Sequence, residues 1–131
     1  MIWINAPETR GPLPPNVQAR DCRDLGELVR LLATAALFVG NNSGPMHLAN
    51  ALGRPGVIVC GPSDPAWYPA WYRERYQILL APGLECLPCD RGHLALFRCT
   101  NEAEPLACMR RWGVEVVEER CRAWLARWPA A

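Results

Sequence analysis

The sequence contains no lysine: all fourteen basic residues are arginine, set against thirteen acidic ones for a formal net charge of +1. A balance this close to neutral excludes a broad basic footprint for nucleic acid. The missing lysine points to GC-rich coding more than to chemistry, although the planar fork of arginine suits phosphate. Long hydrophobic runs are also absent. No stretch approaches the ~20 apolar residues that span a bilayer. The start, Met1-Ile-Trp-Ile-Asn-Ala, has neither a basic segment nor a long apolar core, which argues against a signal peptide. No internal repeat or low-complexity segment is found.

What is present fits one globular unit. A chain of 131 residues, half of them hydrophobic, accommodates a single domain and can bury roughly two thirds of its unfolded surface. Seven cysteines without an export signal suggest a reducing compartment, with thiols or a metal site favoured over a disulfide framework. The expectation is a soluble, cytosolic-type domain spanning residues 1–131.

Ile2-Trp3-Ile4 reads as a short strand, followed by a connector in which Pro12, Pro14 and Pro15 resist both helix and central strand. The clearest helix signal begins with Asp24 as N-cap. Leu25, Leu28, Val29, Leu32, Ala33 and Ala36 then repeat with helical spacing. Leu37–Gly40 reads as a buried strand, Asn41–Gly44 as a turn, and Pro45 as the first residue of a helix reaching about Leu52. Gly53 and Pro55 are stop signals before a second apolar strand, Val57–Cys60, and a third is expected over Tyr76–Ala81. Strand, loop, helix, strand with apolar strands predicts a parallel sheet covered on both faces, an α/β architecture. Residues 82–113 lack periodicity and hold four of the seven cysteines, an irregular insertion. The chain closes with an amphipathic helix whose stripe is Val114, Val117, Cys121, Trp124, Leu125 and Trp128, with Glu118 and Arg122 paired on the other side.

The most informative stretch is Leu37 to Gly53, LFVGNNSGPMHLANALG. In open α/β sheets ligands bind at the carboxyl ends of strands, where loops lead into helix N-termini. A helix starting at Pro45 aims unpaired N–H groups at the preceding loop. Gly44 permits close approach of a ligand to the backbone, Ser43 adds a hydroxyl, and His47 stands in the first turn. This is a plausible phosphate-facing loop. On residues alone the alternative stays open that Asn42 and Ser43 simply cap a helix and His47 is a satisfied core or surface histidine.

The longer run FVGNNSGPMHLANALGRPGVIVCGPSDP resembles the signature of glycosyltransferase family 9, the ADP-heptose:lipopolysaccharide heptosyltransferases and relatives. Their usual form is close to F-V-G-N-D-S-G-P-M-H-L-A, then A-L-G-x-P, then F-G-P-T-x-P. The helix from Asp24 to Ala36 is similar to the family's preceding helix. Cys86-Leu87-Pro88-Cys89, Cys99 and Cys108-Met109-Arg110 resemble a Cys-rich stretch of many members. The resemblance runs from about Val17 to Leu125.

It implies a bacterial GT-B enzyme of lipopolysaccharide biosynthesis, built of two Rossmann-like domains around a cleft, with this chain forming the later part of the C-terminal domain that binds the nucleotide-sugar donor. By similarity the donor-binding residues are Asn42, Ser43, Gly44, Pro45, Met46 and His47, with Ser63 beside them. Asn42 falls where many members carry an Asp directed at the sugar; Asn hydrogen-bonds hydroxyls but supplies neither base nor charge. In the family's reaction an acceptor hydroxyl attacks the anomeric carbon and the nucleoside diphosphate leaves. No D-x-D pair is present, so nothing suggests a metal on the diphosphate and no cofactor is required. The N-terminal acceptor domain with its carboxylate base, and the first β-α-β part of the donor domain, have no counterpart in these 131 residues. No catalytic residue is therefore assigned. Activity is expected to need that domain or a partner subunit, in the cytoplasm or at the inner face of the membrane, where the full enzyme associates peripherally.

Gly61-Pro62-Ser63-Asp64-Pro65 leaves the second strand at its carboxyl end and either contacts donor or acceptor through Ser63 or is a proline-rich turn. Trp67, Tyr68, Trp71 and Tyr72 follow, aromatics suited to filling a domain face or to stacking on sugar. Cys86, Cys89, Cys99 and Cys108 have the chemistry for a tetrahedral structural zinc, with His93 able to replace one. The second half lacks a close C-x-x-C pair, so free or occasionally disulfide-bonded thiols stand as the alternative. Cys22, Cys60 and Cys121 lie in apolar patterns and read as core. The rival functions are a non-catalytic nucleotide-binding remnant or scaffold module and a small zinc-stabilised interaction domain.

Overall fold

The computed structural model describes residues 1–4, 12–64, 74–89 and 99–128. The elements are β1 (Ile2–Ile4), β2 (Gln18–Arg20), α1 (Leu25–Ala33), β3 (Phe38–Asn41), α2 (Gly44–Ala51), β4 (Gly56–Cys60), β5 (Tyr76–Leu80), α3 (Ala107–Arg110) and α4 (Val114–Arg127). Among the described strands each pairing is parallel, with β1 beside β2 and a separate sheet in the order β3-β4-β5. The expected α/β, Rossmann-like class with flanking helices is what the chain forms.

Helix α1 begins where Asp24 predicts, its carboxylate accepting the Glu27 N–H at 2.8 Å while the Glu27 carboxylate turns back to accept from the Arg23 N–H. It ends at Ala33, earlier than the apolar spacing to Ala36 suggests, because Thr34 folds its hydroxyl onto the Leu31 carbonyl and caps the last turn. Helix α2 is followed by Gly53 at φ 72, a left-handed residue as its position after the helix requires.

Central strand β4 is buried along nearly its whole length. Ile58 and Cys60 join Met46 of α2 and Tyr76 of β5 in the core, with Phe38 and Ile78 packed against them. Val57, facing the other way by strand alternation, is fully buried as well. Strand β3 departs from expectation: among the described residues it lies at the sheet edge, and Val39 is 44% exposed. Strand β2 and the single turn α3 had no readable sequence pattern, being three and four residues long.

Helix α4 also corrects the sequence reading. None of its residues is fully buried, and Val114 and Leu125 are exposed, leaving Val117, Cys121 and Trp124, with Trp128 just beyond, as a half-buried seam. The helix is tied to the sheet by the Trp124 indole N–H, which donates to the Arg75 carbonyl at 2.8 Å. The expected Glu118–Arg122 pair forms at 2.6 Å on its solvent side. Of the three cysteines read as core, Cys60 is buried, whereas Cys22 and Cys121 are half-buried.

Candidate functional site

Strands β3 and β4 run parallel with Asn41 opposite Val59, so the loops that leave them emerge at the same end of the sheet. Asn42, Ser43 and Gly44 leave β3 there, and Gly61, Pro62 and Ser63 leave β4. This end holds the candidate donor residues on two adjacent loops.

Ser43 occupies the N-cap position of α2 in extended conformation but makes no side-chain cap. Its hydroxyl donates instead to the Asn41 carbonyl at 3.2 Å, and its own carbonyl accepts the N–H groups of Met46 and His47. The first N–H of the helix is thus not taken by a capping side chain. Pro45 sits in the first turn, where its lack of an N–H costs nothing. Around Gly44 the space is open: no protein atom lies within 4 Å of where a Cβ would stand. Asn42 and Pro45 are half-buried, while Ser43, Gly44 and His47 are exposed.

Met46 stands apart from its neighbours. Its side chain is wholly buried in the core, so it has no surface to offer a donor, and its N–H is already spent on Ser43. Ser63 is half-buried, and its carbonyl accepts the Cys60 thiol at 3.7 Å. The aromatic residues Trp67, Tyr68, Trp71 and Tyr72, and His93, lie outside the described residues.

The cysteine segment reaches the same end of the sheet. Helix α3 packs against β4, and the Met109 sulfur lies 2.9 Å from where a Cβ on Gly61 would stand. A Cβ at position 61 would require the flexible Met109 side chain to shift. Nothing in the sequence signals this contact, since the two residues are remote and neither belongs to a periodic pattern. Cys86, Cys89 and Cys99 are half-buried, Cys108 is buried, and all four are free thiols. Burial pushes the Cys89 thiol up, and the nearby charges of Cys108, Cys86 and Cys99 add to it. Burial raises Cys108 likewise, with Cys99 and Cys86 contributing. Among the described residues no group of three or more His, Cys, Asp or Glu side chains stands ready to hold a metal ion.

Asn50, also missed, is 1% exposed on α2, and neither its amide oxygen nor its nitrogen has a hydrogen-bond partner. Its spacing from Met46 on the inward stripe was a readable signal. A concavity of about 310 Å³ beside β1, lined by Met1, Trp3, Pro12, Leu13, Pro14 and Val17, includes none of the candidate donor residues. Among the described residues no helix is long and apolar enough to cross a membrane.

Comparison with known proteins bears on the same stretch. The sequence pattern of glycosyltransferase family 9 (heptosyltransferase) matches residues 22–96, more than half of the chain. A lipooligosaccharide heptosyltransferase 2 from Haemophilus ducreyi is 37% identical over 62 residues, which are 46% of this chain and 18% of that protein. The matched segment is thus less than a fifth of the length of that relative. No solved structure matches the chain.

Proposed function

We propose, from the premise that this chain belongs to glycosyltransferase family 9, that it is the donor side of a heptosyltransferase-like enzyme and holds the diphosphate of a nucleotide-sugar at the N-terminus of α2. The observation that carries this assignment is the turn Ser43-Gly44-Pro45. It opens a helix at the carboxyl end of β3 without a side-chain cap, and it leaves open space over Gly44. A diphosphate lying there would accept from the uncapped helix N–H and gain from the positive end of the helix dipole, worth about 0.3–1 kcal/mol at an exposed site.

His47 would approach the same anion from the first turn. Asn42 would face the sugar and hydrogen-bond hydroxyls without acting as base. During transfer, negative charge builds on the departing diphosphate, and preorganised donors at that position stabilise it. Ser63, on the adjacent loop, would border the cleft. The acceptor, of lipopolysaccharide type, and the base that deprotonates its hydroxyl are assigned to an acceptor half acting with this chain. The assembly would work in the bacterial cytoplasm, at the inner face of the membrane.

The test is titration of isotope-labelled protein with ADP and UDP, following backbone amide shifts. Shifts concentrated at Gly44, Met46 and His47, and an affinity lowered about tenfold, or ~1.4 kcal/mol, by His47→Ala are expected. Shifts confined to other segments, or identical affinities for the two proteins, would overturn the assignment.

A further inference from the structure

Parallel sheets are covered on both faces and their inner strands are apolar, while charged side chains mark the outermost strands. The strands of this chain sort along that line. Strand β2, Gln18-Ala19-Arg20, has the polar composition of an outer strand. Its partner β1, Ile2-Trp3-Ile4, has the composition of an inner one, yet all three residues are exposed. Strand β3 carries no charge and pairs with β4 alone among the described residues. Helix α1, which leads from β2 to β3 and packs beside α2, is unfinished in the same way. On its apolar stripe Leu32 is buried, Leu28 and Val29 are half-buried and Leu25 is exposed.

The peptide groups show which sides of β1 and β3 are open. The Gln18 N–H donates to the Met1 carbonyl at 2.9 Å. Alternation along a parallel ladder therefore turns the N–H groups of Ile2 and Ile4 away from β2. The Phe38 N–H donates to the Pro55 carbonyl at 2.8 Å, so those of Val39 and Asn41 point away from β4. Strand order says what belongs between these two sides. A doubly wound sheet has the order 3-2-1-4-5-6. Taking β1 and β2 as its second and third strands, and β3, β4 and β5 as its last three, reproduces both observed sheets. Strands β2 and β5 then close the sheet at its two ends. One inner place, flanked by β1 and β3, has no strand among the described residues.

We propose that β1 and β3 are the walls of a docking slot for one extended, apolar β-strand, parallel to both and supplied by polypeptide outside residues 1–131. The matched segment is less than a fifth of the heptosyltransferase it resembles, so a relative of this chain carries polypeptide that could provide such a strand. An uncharged occupant follows from the uncharged walls, Ile2-Trp3-Ile4 and Phe38-Val39-Gly40-Asn41. Its successive N–H and carbonyl groups would bond alternately to the Ile2 and Ile4 side and to the Val39 and Asn41 side. Its side chains would complete the burial that β1 and the stripe of α1 lack. The slot stands whether or not a diphosphate binds at α2.

The experiment is amide hydrogen exchange on the isotope-labelled chain, with a synthetic peptide as probe. The probe is a short run of valine and isoleucine flanked by lysines and capped at both ends. In the chain alone the amides of Ile2, Ile4, Val39 and Asn41 should exchange faster than that of Phe38. With the peptide all four should slow together, by about tenfold or more. Two control peptides carry N-methyl groups on one or the other alternate set of nitrogens. Each should lose the effect, because a strand in the slot bonds on both sides. Val39→Pro removes an outward N–H and keeps the bonds to β4, so it should also end protection at Ile2 and Ile4. The peptide controls do not depend on that variant folding. No protection, protection on one side only, or an effect that survives either methylation would overturn the slot. So would slowing of Val39 and Asn41 alone as the protein dimerises, which would give that edge to a second copy of the chain.

Discussion

The ring of Tyr76 lies across Gly56, its register partner on the neighbouring strand, so closely that a Cβ on the glycine would stand 2.5 Å from the ring. An aromatic side chain covers the gap that a strand glycine leaves. The carbonyl of Phe38 closes the same space from the other side, 2.9 Å from the Cβ position. Neither the backbone nor a ring locked in the core can withdraw cheaply. Gly56→Ala should therefore lower stability by about 1–3 kcal/mol, read as a fall in the urea midpoint. An unchanged midpoint would show that Tyr76 has more freedom than its burial allows.

Asn50 gives a prediction of opposite sign. Its amide is buried with both polar ends unpartnered, a state that costs roughly 1–3 kcal/mol in desolvation. Asn50→Leu keeps the branching of the side chain and removes the polar atoms, so, where the packing admits the two methyl groups, the melting temperature should hold or rise. A loss of several degrees would mean that the amide has a role outside packing.

Gly44 separates folding from binding. With open space at its Cβ position, Gly44→Ala should leave thermal stability within about 0.5 kcal/mol, as for other surface substitutions away from special features. If a diphosphate approaches that backbone, the new methyl group should still reduce ADP affinity. Equal affinity for wild type and variant would place the phosphates elsewhere.

Glu104 supplies a pH signature. Its carboxylate hydrogen-bonds Arg111, which holds it below the ordinary glutamate value of 4.5. Because the folded-state value is the lower one, the stabilisation is present above the ordinary value and disappears as pH falls through the lowered one. Glu104→Gln should thus reduce stability at neutral pH and match the wild type near about pH 2. Both groups are solvent-accessible, so the difference should shrink in high salt.

Much of the site's framework was legible before any coordinates. Asp24 capped α1, the unbroken apolar run Val57–Cys60 was the central strand, and Gly53 took the left-handed position after α2. Each of these is a local preference that the tertiary structure happens to reinforce. The misreadings came where a local signal met a global one. Leu37–Gly40 looked buried because its residues are apolar, but position at the sheet edge, which depends on partners far away in sequence, exposes Val39. Val114 and Leu125 fitted the apolar stripe of α4, yet the helix meets the sheet along a narrower seam. Met46 sat inside the phosphate-loop motif and is core, since a helical residue three places after the cap already points inward. The Gly61–Met109 contact joins two aperiodic segments, and no pattern in either one announces it.

The edge position of β3 carries a further consequence. Among the described residues β3 pairs with β4 alone, so along its outer side the peptide groups of Phe38–Asn41 have no strand to bond to. Such a rim is a template for any extended chain of matching length, including another copy of itself. Its four-residue length and the Gly40 within it blunt the hazard without removing it. The loop that opens α2 begins at the end of this rim, so any strand that docks there would lie against the root of that loop. Solubility and the geometry of that loop would then respond together to whatever pairs with the edge.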